Sequence, residues 1–409
     1  MIPSRRILPL SLLAILAAPT ARAEVPIDVI AGSEVSFEGM LQADANWFNS
    51  DLTSLNGDAQ DGSDADFEMR RAELILKGKG PGNLEWVIGY DAKADKWLDT
   101  NFKYKLGGNG NHTLQLGQYK QPNSLEELSS TKNNDFISKA AITNTWAVGR
   151  RLGAAYSYGT DAWSITGSAF SRELKRGNAS GDGFGVRGTW APINEKGRVL
   201  HLGLTYANYD AELPVVNGAD NTSAQRWRAR PQADLAGVRL IDTGTLNNAD
   251  KVQTTGVEAF WVQGAFKLQS EYMRSTTTRD AGFDDFTGSG GYVSALWNVT
   301  GESWGYKAGT PTTPLPNEPA TGMLQLGLRY DTLDLNDGRV DTSGATPVVD
   351  GILGGKMDAW TVGANYYWHS NFKFSLNYVK AQTSKYRAAA AADVDDDPSI
   401  VEFRAQFFW

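Results

Sequence analysis

The chain has 409 residues, 41% hydrophobic and 21% charged, with 43 Gly, 16 Phe, 15 Tyr, 13 Trp, three His and no Cys. This apolar fraction excludes a disordered chain, and the lack of Cys excludes a disulfide framework, a thiolate zinc site and a cysteine nucleophile. A formal charge of −8 argues against a nucleic-acid partner, and His112, His201 and His369 are too scattered for a His-based metal site.

At the N-terminus, Arg5 and Arg6 precede an apolar run from Ile7 to Ala18, and Ala21-Arg22-Ala23 has the A-x-A form of a cleavage site. The expectation is an export signal over 1–23, cleaved to leave a mature domain over 24–409. Its loss removes three arginines and no acid, taking the formal charge from −8 to −11. After Ala23 no apolar run is long enough for a membrane helix. The exported chain is then either soluble or crosses an outer membrane as strands.

From residue 34 onward the apolar residues alternate with polar or small ones. Leu84, Trp86, Ile88 and Tyr90 have Glu85 and Asp91 on the opposite face, and Leu200, Leu202, Leu204 and Tyr206 interleave with His201, Gly203 and Thr205. Leu324, Leu326, Leu328 and Tyr330 alternate with Gln325, Gly327 and Arg329, and Phe372, Phe374, Leu376 and Tyr378 with Lys373, Ser375 and Asn377. A soluble sandwich alternates too, but it does not carry charges in mid-strand. Aromatics gather near strand ends, as at Trp47, Phe48, Tyr90, Tyr104, Tyr158, Tyr272, Tyr330 and Trp368, which suits interfacial girdles.

This pattern predicts sixteen strands: 34–48, 67–79, 84–92, 97–106, 112–120, 150–158, 162–172, 183–191, 199–209, 253–262, 265–275, 290–298, 322–333, 357–368, 371–382 and 399–409. In lipid such a sheet must close on itself, and an all-β antiparallel barrel of this size leaves an aqueous channel. Short turns at 80–83, 107–111, 159–161 and 369–370 alternate with long loops at 49–66, 121–149, 210–252, 276–289, 334–356 and 383–398. The Pro-rich link 299–321 is long where a short one is due.

No nucleophile elbow, zincin motif or Walker loop is present, so no catalytic residue, metal ligand or cofactor is expected. Glu85, Asp91 and Asp99 are read as solvated lumen charge rather than a glycosidase pair. Asp393, Asp395, Asp396 and Asp397 lack the Gly and terminal Glu of a calcium loop and are read as a solvated extracellular loop. A barrel lipase would need a Ser–His pair on the lipid-facing rim, whereas strand parity puts His201 in the lumen.

The candidate solute-guiding residues are basic. Arg226, Arg228, Arg230 and Arg239 crowd one loop, where guanidinium groups match the oxygens of small anions or of lipopolysaccharide phosphates. Arg70 and Arg71 are adjacent, so only one can face the lumen unless a bulge intervenes. Lys77 and Lys79 share the face of Arg71. In loop 121–149, Leu125–Leu128 is a candidate helical turn, followed by Lys132 and Lys139.

Leu41-Gln42-Ala43-Asp44, Phe67 to Leu74 with its arginine pair, Val199 to Gly203-Leu204, the loop Arg226–Arg239, Thr300-Gly301-Glu302 and Asn377 to Ala381 recur in an order that resembles the phosphate- and polyphosphate-selective porins O and P. The resemblance implies a sixteen-stranded outer-membrane barrel of a Gram-negative bacterium, assembled as a homotrimer. Its third extracellular loop would fold inward, and arginines would lead small anions to lysines at the constriction. Arg70, Arg71, Arg228, Arg230 and Arg239 would belong to that ladder, with Lys139 and Lys307 along the path. The terminal Phe407-Phe408-Trp409 fits recognition by the barrel-assembly machinery. Glu85 and Glu127 stand where the family places constriction lysines, and Met40 where an arginine would be, so the constriction candidates become Glu85, Asp99, Glu127 and Lys132. A unit charge pair at 4 Å is worth roughly 4 kcal/mol at an effective dielectric of about 20, so such replacements predict weakened central phosphate binding. A sugar-type porin with an aromatic track, or a weakly selective general porin, is the alternative cargo reading.

The barrel expectation is tested by extraction. The protein is expected to require detergent and to migrate differently on gels before and after heating, whereas a soluble sandwich would do neither.

Overall fold

The computed structural model describes the chain except for residues 1–24, 31, 58–63, 109, 176–178, 213–222, 281 and 345–346. The export signal expected over 1–23 lies outside the described residues.

Sixteen strands form a closed antiparallel barrel: β1 Ser33–Asn49, β2 Ala65–Lys79, β3 Leu84–Asp91, β4 Lys96–Leu106, β5 His112–Lys120, β6 Arg150–Gly159, β7 Trp163–Phe170, β8 Gly183–Glu195, β9 Arg198–Asp210, β10 Ala249–Gln263, β11 Phe266–Arg279, β12 Phe286–Asn298, β13 Met323–Asp341, β14 Val348–Trp368, β15 Phe372–Arg387 and β16 Ser399–Phe408. Each pairs with the next, and β1 closes on β16 from Met40↔Phe408 to Asn49↔Ser399. A short strand, Val25–Ile30, lies along the start of β1. All sixteen expected segments are strands.

The alternation has the expected consequence. Leu202, Leu204, Leu326, Leu328, Leu376 and Tyr378 are exposed on the outer wall, while Gln325, Arg329, Asn377 and Arg404 are buried inside. Ring pairs mark both rims of the apolar belt. Phe266–Trp297, Trp368–Phe372 and Tyr158–Trp163 flank the short turns, and Tyr90–Trp97 and Tyr330–Trp360 lie toward the other end. Phe48 corrects the girdle expectation. It faces inward and packs on Leu55, Leu235 and Ile400, because strand parity allows only Trp47 of that pair to face lipid.

Several strands outrun their sequence boundaries. β13 and β14 continue as an exposed ribbon to Asp341↔Val348, and β15 extends to pair with the short strand Ala392–Asp396. The aspartate-rich loop is thus partly a strand. Asp396 is buried, with its carboxylate accepting from Leu52 N at 3.2 Å. Loop 210–252, aperiodic in sequence, folds in its described part into two ribbons. Ala224–Gln225 pairs with Leu246–Asn247, and Arg228–Ala229 with Ile241–Asp242. Nonlocal packing supplies the order that local periodicity lacks: Trp227 meets Trp146 edge-on at 6.5 Å and donates its indole N–H to Thr277 at 2.9 Å.

The long link 299–321 also turns inward. It carries a hairpin, Gly305–Lys307 with Thr310–Thr312, and Arg187 donates to Gly309 O at 2.6 Å from the barrel wall. Its Thr313 hydroxyl reaches Asn133 O at 3.3 Å in the loop entering from the opposite end.

At the seam, the Trp409 indole lies over Gly39. A Cβ on Gly39 would come 2.1 Å from the indole ring. Gly39→Val is therefore expected to push the terminal aromatic off the β1–β16 junction, at about 1–3 kcal/mol for forced overpacking. The check is the urea midpoint of heat-modifiable migration in detergent, with Trp409→Ala as the reference loss. The two changes should not add, because they remove one contact.

Candidate functional site

The third extracellular connection, residues 121–149, lies inside the barrel. Its first helix, α1 Leu125–Leu128, follows from Ser124-x-x-Glu127, in which the Ser124 hydroxyl accepts from Glu127 N at 3.1 Å. The barrel wall completes that cap: Glu271 on β11 accepts from Leu125 N at 2.9 Å and Glu126 N at 2.8 Å. A second helix, α2 Ala141–Trp146, has no such local signal in the sequence, and its Ala141 N–H is received by Asp331 of β13 at 3.1 Å.

Between the helices the loop is pinned by the far wall. Arg329 donates to Ser138 O at 3.0 Å and its guanidinium lies 4.7 Å from the Phe136 ring centroid. Arg404 donates to Ile137 O at 3.0 Å while paired with Asp44 at 2.6 Å. Asn365 donates to Asp135 O at 2.7 Å, and Lys267 holds the Asp135 carboxylate. These anchors come from β11, β13, β14 and β16, so the loop leans on one half of the barrel. Against the other half, between β1–β6 and the loop, remains a cavity of about 380 Å³.

The cavity wall carries Lys77, Lys120, Lys132 and Arg150 against Glu38, Glu73 and Asp99. Lys77 pairs with Glu38 at 2.6 Å and Arg150 with Asp99 at 2.8 Å. Lys132 makes no ion pair with a described residue, and its ammonium lies 5.9 Å from the Phe408 ring centroid. Lys120 donates to two loop carbonyls, Glu127 O and Ser129 O, the latter at 2.9 Å. The 299–321 hairpin closes the cavity's other side with Thr310, Pro311 and Thr312.

The arginine pair of β2 meets the bulge condition. Gln42 pairs with Arg71 and Ala43 with Met69, leaving Arg70 without a partner opposite. The extra residue sends both arginines inward. Arg70 reaches Asp234 of the 223–248 segment at 3.2 Å, and Arg71 reaches Glu73 at 3.2 Å and Asp91 at 3.9 Å. A second irregularity in pairing, between Ile88 and Tyr90, falls opposite Asp99.

The remaining candidates divide by place. Arg226 is locked to Asp242 at 2.5 Å, and Arg230 donates to Ala236 O at 2.6 Å. Arg228 is exposed, and burial followed by the charges of Arg230 and Arg228 lowers the pKa of Arg239. Lys139 contacts Glu127, and Lys307 is exposed on its hairpin. Glu85 pairs with Lys105 at 2.6 Å near the short-turn rim and is not part of the cavity wall, whereas Asp99 is. Met40 also lines the cavity. Sequence reasoning missed Lys120 and Arg150. The signal available for both was their position at the two strand ends flanking loop 121–149, where they face each other in register.

His201 is fully buried, within 2.6 Å of the Tyr306 hydroxyl and 2.9 Å of Glu258. Trp47, Trp163, Trp190, Trp261, Trp297 and Trp360 lie on the outer wall, and Trp146, Trp227 and Trp304 are buried, so these nine provide no aromatic track through the lumen.

Burial alone would raise the Asp234 carboxyl, but Arg70, Arg404 and Arg71 outweigh it and hold its pKa below the usual aspartate range. Its contribution to loop docking is therefore complete above the ordinary aspartate pKa and is lost as pH falls through the depressed value. Arg70→Ala should shift that loss to higher pH and weaken docking by roughly 1 kcal/mol. Limited proteolysis of segment 223–248 across an acid pH series reads both effects.

A family model, phosphate-selective porin O and P, matches residues 41–409. A Caulobacter vibrioides protein is 29% identical over 336 residues, 76% of this chain and 62% of that protein, so the chain spans less than two thirds of that relative's length. Porin O of Pseudomonas aeruginosa is 26% identical over 385 residues, covering 86% of this chain and 84% of its own. Among solved structures, the Vibrio cholerae outer membrane protein OmpT superposes with a TM-score of 0.55 at 11% identity, covering 96% of this chain and 99% of that one. With its lipid-facing wall, the chain resides in the outer membrane of a Gram-negative bacterium. It belongs to the phosphate-selective porin O and P family.

Proposed function

We propose that the protein is a water-filled channel for passive diffusion of small hydrophilic anions, phosphate and polyphosphate among them. The observation that carries this reading is the cavity beside loop 121–149, where Lys132 stands without an acidic partner among the described residues and Lys120 is held by backbone carbonyls. Cations at a low-dielectric constriction concentrate anions and set selectivity.

The path begins at the exposed Arg228 with Arg230 and Arg239, passes Arg70 and Arg71, narrows at Lys132, Lys120 and Arg150 near Lys139, and leaves past Lys307. Arg226 and Glu85, each occupied by a neighbouring charge, shape the two mouths rather than the narrowest point. Diffusion along this route calls on no catalytic group, metal or cofactor. His201 serves as an anchor for the inward hairpin through Tyr306, which argues against a barrel lipase. The mature barrel follows an export signal over 1–23, assembles as a homotrimer among lipid and lipopolysaccharide, and presents Trp409 to the barrel-assembly machinery.

Planar-bilayer recordings under a salt gradient test the reading. The expected result is a discrete conductance with an anion-selective reversal potential, moved toward cations by Lys132→Glu. A membrane without discrete conductance overturns the channel, and cation selectivity of the unmodified protein overturns its anion bias.

A further inference from the structure

Beside the cavity, behind Lys120, one carboxylate is placed as a solute anion would be. Glu127 on α1 contacts the Lys139 ammonium directly, and the Lys120 ammonium lies 3.8 Å away. All three side chains are mostly buried, with 13% of Glu127, 10% of Lys120 and 14% of Lys139 exposed. Lys120 at the same time lines the cavity through which solute passes.

The local fold keeps the carboxylate there. Glu127 sits at the third position of a four-residue helix whose start is fixed by Ser124 and by Glu271 from the barrel wall. The helix therefore holds Glu127 between the two lysines. Lys120 is fixed from the other side by the carbonyls of Glu127 and Ser129. Burial would by itself raise the Glu127 carboxyl, but the charges of Lys139 and Lys120 outweigh it and hold its pKa at about 2. Between the two ammonium groups it stands as a carboxylate anion at neutral pH.

We infer that Glu127 is a tethered counter-anion: it occupies the Lys120–Lys139 anion site and so keeps a passing solute from resting there. This inference rests on the anion-channel reading above and extends it to how tightly the channel holds its cargo. Two lysines facing an open lumen would bind an oxyanion at their meeting point and retain it. With the carboxylate present, the pair offers a net single positive charge, which attracts an anion without trapping it. Conduction needs binding strong enough for entry and weak enough for exit, and the tether biases the site toward exit.

The test is Glu127→Gln beside Lys139→Met, each recorded as full-length protein in planar bilayers with inorganic phosphate added to a chloride current. Glu127→Gln is near-isosteric and keeps the helix N–H partners, and heat-modifiable gel migration verifies that each barrel has formed. The expected result is opposite movement. Glu127→Gln should become more anion-selective and lower the half-blocking phosphate concentration about tenfold, while Lys139→Met should become less anion-selective. Were the triad only a brace for loop 121–149, both variants would loosen the loop, raise conductance and reduce selectivity together, and that outcome overturns the inference. Unchanged phosphate block in Glu127→Gln overturns it as well. A wild-type channel that is not anion-selective defeats the underlying functional reading instead, which separates the two failures.

Discussion

A strand in hydrocarbon has no water to satisfy its backbone, and this requirement shapes the whole molecule. Pairing of β1 with β16 removes the two edges that would otherwise be left open to lipid. Once the sheet is closed, period-two alternation sorts the side chains. Apolar residues meet lipid, and the interior must accept everything else. That interior is too wide for wall residues alone to fill. The space is occupied by chain from both ends, the loop 121–149 from one side and the hairpin of 299–321 from the other, and the two meet at Thr313 and Asn133.

Buried ion pairs inside the lumen make sense in that setting. Arg404–Asp44 and Arg329–Asp331 lie almost wholly out of solvent, where desolvation offsets most of the Coulomb gain. Their value is in position rather than in net stability. Each guanidinium keeps a donor for a loop carbonyl, and loss of one partner would leave an isolated buried charge, a penalty of roughly 3–5 kcal/mol. An error in placing the loop is thereby made expensive. Because all these anchors lie on β11–β16, the cavity is displaced toward β1–β6.

The barrel was legible in the sequence because one rule, alternation, operates in every strand independently of the others. Strand ends were less legible where they leave the membrane, as in the β13–β14 ribbon, since pairing there no longer depends on an apolar face. The site was legible only in part. The basic residues and the helical turn at Ser124–Leu128 carry local signals. The partners of Arg70, Glu127 and Arg226 are 164, 12 and 16 residues away, and no spacing rule selects Asp234, Lys139 or Asp242 for them. The charge at Glu127 shows the consequence. Read alone it is an acid where a cation is expected, but in the fold it lies between two lysines, in contact with Lys139 and 3.8 Å from Lys120.

The bulge at Arg70 has a meaning beyond geometry. A strand in a closed barrel tolerates no ordinary one-residue insertion or deletion, since the change would turn every later side chain inside out. At a bulge the extra residue is already outside the pairing count. Loss of the Arg70 codon would leave Met69 facing lipid and Arg71 facing the lumen, with the rest of β2 in its present register. The number of arginines along this wall is therefore free to change by single codons during descent, so the charge of the lumen can drift while the barrel's architecture stays untouched.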